Sequence, residues 1–133
     1  MNMLVAGSPQ VMLQGDWLEK LGIPVLDTGN GMNQEGIAGL SAAIRIEALR
    51  DYRAAVGRRT RKIVMQLQPH DLKVKVEPSS LDQVRDQGAV IAAASGLLDY
   101  WSRRDIAGLL LMPASRHILV HLNEALQLKG RRS

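Results

Sequence analysis

The feature that most constrains this chain is one long periodicity. Ile46, Leu49, Tyr52 or Arg53, Val56, Thr60, Ile63 and Leu67 recur at steps of three and four, with the charges on the opposite side. An α-helix turns once every 3.6 residues, so this spacing lays the apolar side chains along one face and predicts a helix from about Ala42 to Gln66. Such a stripe has to be buried against other elements. Lys73-Val74-Lys75-Val76-Glu77 alternates like a strand, but a lone strand has no partner, so it reads as an extended linker. The expected fold class is all-α, an antiparallel helical bundle formed by a single domain over residues 1–133.

The flanking segments read as shorter pieces. Met1 to Ala6 is apolar and broken by Gly7-Ser8-Pro9, like the last turn or two of a helix. Gln14 to Leu21 predicts a short helix stopped by Gly22. The glycine-rich stretch from Ile23 to Met32 lacks both the lysine of a P-loop and the spacing of a dinucleotide fingerprint, so it is read as a connector. Asn33 caps a helix of one to two turns through Gly39, and Gln68 to Leu72 ends the long helix, with His70 facing solvent. Pro78-Ser79-Ser80 caps a helix from Leu81 to about Leu98 or Ser102. Gly88 and Gly96 weaken it, and its small-sided run Ala89 to Ala94 is suited to a subunit contact. Asp105 caps Ile106 to Met112, and Pro113 predicts a break or kink before Ser115.

The last segment holds two of the three histidines. Ser115 is a cap candidate, and Lys129-Gly130 supplies a cationic last turn and a stop. His117, His121 and Glu124 stand at i, i+4 and i+7, which at ~100° per residue puts them within roughly 40° of one another. Two imidazoles and a carboxylate on one face are candidate ligands for a divalent metal. Glu124 is either a third ligand or the acceptor that orients an imidazole N–H. The same histidine pair also arises without metal, each ring hydrogen-bonded to a neighbour. Ile118, Leu119, Leu122, Ala125 and Leu126 wrap more than half the cylinder, predicting a helix packed on most sides with its polar site inside the protein.

Composition narrows the functions. Without cysteine there is no disulfide, no thiol nucleophile and no cysteine-based zinc site. Aromatic residues are limited to Trp17, Trp101, Tyr52 and Tyr100, too few for a base-stacking platform. The net charge of +4 comes largely from Arg58, Arg59, Arg61 and Lys62 and from Lys129, Arg131 and Arg132, read as solvated faces and a basic tail rather than a nucleic-acid interface. No signal-peptide pattern and no run approaching a membrane span is present, so the expectation is a cytoplasmic protein without a membrane partner.

Several motifs in order also carry a family likeness. These are the Val5-Ala6-Gly7-Ser8-Pro9-Gln10-Val11 opening, Trp17-Leu18-Glu19-Lys20-Leu21-Gly22-Ile23-Pro24, the Asp27-Thr28-Gly29-Asn30-Gly31-Met32 loop, the Leu67 to Leu72 connector, and Arg116-His117-Ile118-Leu119-Val120-His121-Leu122-Asn123-Glu124-Ala125. Together they resemble bacterial DinB-like (YfiT-like) proteins, over nearly the whole chain and over the part of that four-helix fold downstream of its second helix. The resemblance implies an N-terminally incomplete four-helix bundle. It also implies a metal-dependent enzyme related to thiol S-transferases and to mycothiol-dependent maleylpyruvate isomerase, using zinc or nickel and a small thiol. In that family three histidines hold the metal, one on the second helix and a His-x-x-x-His pair on the last. His117 and His121 match the pair, and Arg116 beside them would meet an anionic group of the thiol or substrate. The second-helix histidine has no counterpart, and Leu122 to Ala125 stands where many members carry His-Arg-Gly-Gln. The expectation is a DinB-like protein, either a metal-dependent thiol S-transferase or a divergent or truncated member without full activity. The alternative is a non-enzymatic helical domain that forms a homo-oligomer or binds a protein partner. A bundle lacking its first helix and most of its second would expose Leu49, Val56, Ile63, Leu67 and the apolar side of the last helix, which predicts either a homodimer or a piece of a longer polypeptide.

Overall fold

The computed structural model describes residues 1–130, so the basic-tail reading of Arg131 and Arg132 lies outside the described residues. The chain runs through α1 (Asn2–Ala6), a 310 turn (Val11–Leu13), α2 (Trp17–Leu21), α3 (Gln34–Ala43), α4 (Ile46–Gln66) and a second 310 turn (Asp71–Lys73). It continues through α5 (Pro78–Asp86), a third 310 turn (Ala92–Ala94), α6 (Gly96–Ser102), α7 (Ile106–Leu111), a π turn (Met112–Arg116) and α8 (His117–Gly130). The fold is all-α, a helical bundle of mostly short helices around α4. Among the described residues no helix is long and apolar enough to cross a membrane.

α4 carries the stripe its periodicity predicts. Tyr52, Val56, Thr60 and Leu67 are half-buried and Ile63 is buried, whereas Ile46 and Leu49 in the first turns are exposed. The expected open stripe is therefore corrected over most of its length. α1, the first 310 turn and α2 fold back onto α4 and cover it. Two glycines make that return possible: Gly7 at φ 57° ends α1 and Gly22 at φ 72° ends α2, both in the left-handed region open to a residue without Cβ. The Arg45 N–H then donates to the Leu21 carbonyl at 3.0 Å, joining α2 to the start of α4. That bond needs Ile44 and Arg45 extended, which is why α3, capped by Asn33 on the Gly36 N–H at 2.8 Å, continues to Ala43 and α4 begins only at Ile46.

Two further expectations are corrected. The stretch around Lys75 does have a partner: Val76 N–H donates to Arg104 O at 3.2 Å and Ile106 N–H to Val74 O at 3.0 Å, setting Lys75 opposite Asp105 in one antiparallel bridge. The helix expected from Leu81 to Leu98 stops at Asp86, because Gly88 at φ 65° turns the chain and lets Ala89 N–H reach Val84 O at 3.0 Å. Ala89 and Val90 are thereby buried with Val84 against Met3, Leu4, Leu97, Leu98 and Trp101. Ala89 and Val90 therefore line the core inside the chain, while Ile91, Ala92 and Ala93 of the same run stay exposed.

Leu21 is 1 % exposed and pins α2 to α4, so Leu21→Ala is expected to lower urea-unfolding stability by about 3 kcal/mol. Tyr52 meets Trp17 edge-on at 5.4 Å, and burial raises its phenol pKa above the ordinary 10.0. The buried pocket favours the neutral phenol, so this contribution is intact below about pH 10 and is lost as pH rises through the higher folded value. Urea unfolding at alkaline pH should show that decline in the wild type and less of it in Tyr52→Phe.

Candidate functional site

The predicted polar face lies on α8, and the route to it differs from expectation. At Pro113 the α pairing gives way to π over Met112–Arg116, and the chain stays helical instead of breaking. The chain passes from α7 into α8 through a π turn whose wider hydrogen-bond pairing accommodates a residue with no N–H, and Leu111, Met112 and His117 all keep right-handed helical angles. Ser115 is not a cap, since its hydroxyl donates back to Leu111 O at 2.8 Å. α7 itself starts as expected, with the Asp105 carboxylate accepting from Gly108 N–H at 2.8 Å.

On α8 the His117 and His121 rings face each other at a centroid distance of 4.5 Å, tilted by 42°. Glu124 Oε2 lies 2.9 Å from His121 Nδ1. A carboxylate only accepts, so this contact needs the proton on Nδ1 and leaves Nε2 as the free nitrogen of a neutral ring. Glu124 thus sits in the role of orienting acceptor. Arg116 is exposed one step round the helix from His117, and no salt bridge holds it among the described residues. His70 is elsewhere, exposed beside Asp71 at 3.3 Å, as its loop position predicts.

The expectation that this face is indoors is overturned. The side chains of His121 and Glu124 are 63 % and 60 % exposed. Leu119, Leu122 and Leu126 are also exposed, at 61 %, 53 % and 66 %. The apolar wrap misled because, among the described residues, α8 packs chiefly against its own π turn. The main clefts of the surface, about 410, 430 and 230 Å³, draw no side chain from α8.

Whether these residues suit a metal is decided by the donor set. Two imidazoles from one helix surface, with the carboxylate already turned to His121, leave the other side of an ion without protein ligands. Among the described residues no three His, Asp or Glu side chains are grouped to hold a metal ion. The described donors do not make up a complete metal centre.

The same helix carries a second pattern beside the ligand spacing. At ~100° per residue Leu119, Leu122 and Leu126 fall about 170° from the centre of the His117, His121 and Glu124 group. Their i, i+3, i+7 spacing is that of a helix-pairing seam. It was present in the sequence but submerged in the general apolarity of the segment.

Comparison with known proteins finds no family model, no curated protein and no solved structure that matches this chain.

Elemental analysis of untagged protein is expected to show well under one zinc or nickel per chain, unchanged by His117→Ala. Stoichiometric metal lost in that variant would mean that a ligand from a second polypeptide completes the site.

Proposed function

We propose that this chain is a DinB-like helical domain that works by association, pairing with a second copy of itself through α8. The observation that carries the reading is the exposure of Leu119, Leu122 and Leu126 along one face of a helix that, among the described residues, packs chiefly on its own π turn. Fully burying a leucine contributes about 1.5–3 kcal/mol, so six of them from two copies provide a driving force of the size needed to offset the lost freedom of two folded chains. Their seam spacing gives the knobs that a facing helix can receive. Because the seam lies opposite the histidines, pairing would leave His117, His121, Glu124 and Arg116 on the outside of the dimer.

A second reading keeps the enzymatic expectation, and the convergence of the His117 and His121 rings favours it. In it the outward face of α8 supplies two ligands of a zinc or nickel site in a thiol S-transferase, the remaining ligand coming from another polypeptide segment. Arg116 would then receive an anionic group of the thiol or its acceptor. When bound, the metal would supply Lewis acidity that favours the thiolate.

Sedimentation velocity at micromolar concentration separates the readings. The wild type should run as a dimer and Leu119→Glu/Leu126→Glu as a monomer, with α4 and the main core unaffected as judged by the cooperative melt. A wild-type monomer across that range would end the association proposal.

A further inference from the structure

A more enclosed, mostly apolar concavity lies away from α8. It is a cleft of about 410 Å³ between α1, the first 310 turn, the loop at Leu26–Thr28 and α4, with Val84 and Trp101 at its back. The cleft opens to solvent, so it holds water unless a ligand takes its place. Water is a poor occupant because the walls are mostly hydrocarbon and offer it few partners.

Three polar groups on the lining have unused capacity. Asp27 accepts from Gly29 N–H through Oδ1 at 2.7 Å, while its Oδ2 takes no hydrogen bond from a described residue. The Tyr52 hydroxyl and the Thr60 hydroxyl also line the cleft without a partner among the described residues. Burial keeps Tyr52 a neutral donor at physiological pH. An apolar chamber of a few hundred Å³ with a small number of polar groups is the usual form of a small-molecule site.

We propose that this cleft binds a small, neutral, mainly aromatic molecule, with its rings against Val56, Val84 and Trp101 and a hydroxyl or amine donating to Asp27. Scaled from the single benzene that fills an apolar cavity of about 150 Å³, the space takes on the order of 15 non-hydrogen atoms. The site draws nothing from α8 and does not rest on the association reading.

Calorimetry of the full chain with 1-naphthol tests it. The expected result is saturable binding of one molecule per chain, at least about tenfold weaker in Val56→Phe, which fills the space. Binding should be a few-fold weaker in Tyr52→Phe and unchanged in Leu119→Glu/Leu126→Glu. No saturable heat up to the solubility of the probe overturns the proposal, as does binding that survives Val56→Phe but is lost when α8 carries the glutamates. Should Val56→Phe fail to fold, amide shifts in the wild type decide: perturbation at Tyr52, Val56 and Trp101 supports the site, and perturbation confined to α8 overturns it.

Discussion

The burial of one face of α4 is the constraint on which the remaining structure depends. That face runs from Tyr52 to Leu67, and among the described residues its main neighbours are short elements. α1 and α2 are five residues each, too short to be stable helices alone, so their order derives from packing on α4 and α5. In return they remove Val56 and Ile63 from water. The hydrogen bond from Arg45 N–H to Leu21 O fixes where the two halves of this exchange meet. The cleft beside Tyr52 is a by-product of the same arrangement: a cover made of one-turn helices and loops cannot follow the helix surface as closely as a full-length helix could.

What could be read from the sequence, and what could not, divides by range of interaction. The helical spacing of α4, the caps at Asn33 and Asp105 and the convergence of His117 and His121 are set within one or two turns, and the structure has them. The end of α5 was harder to see, because Gly88 is compatible with a weak helix until the carbonyl of Val84 is given to Ala89 and the chain turns into the core. Val74 and Ile106 are thirty-odd residues apart, and no local pattern announces their backbone pairing. Pro113 does disturb the ordinary α pairing where the sequence places it, but the π turn absorbs the missing N–H and carries the chain on into α8.

The candidate site shows the same division more sharply. Periodicity placed His117, His121 and Glu124 on one face, but burial is a property of what lies opposite, and the apolar residues of α8 carried no information on whether a neighbour exists. With His121 Nδ1 engaged by Glu124 and both side chains in solvent, the face has the geometry of a ligand pair and the surroundings of a surface. The cleft was invisible for a different reason. Asp27, Tyr52 and Trp101 come from a loop and two separate helices, and each alone reads as an ordinary loop or core residue.

α8 also raises a question of its own order. A 14-residue helix in water is marginal even with good helix formers, and Ile118 and Val120 lower its propensity through their branched Cβ. Two features offset this within the chain. The π turn joins α8 to α7, which is anchored by buried Ile106 and Leu109, so the costly nucleation step is already made. The contact of His121 with Glu124 adds a side-chain tie across one turn. Neither covers Leu119, Leu122 or Leu126. A partner laid along that seam would therefore stabilise the helix and bury its hydrocarbon in one step, making the order of α8 and the association of the chain two sides of the same equilibrium.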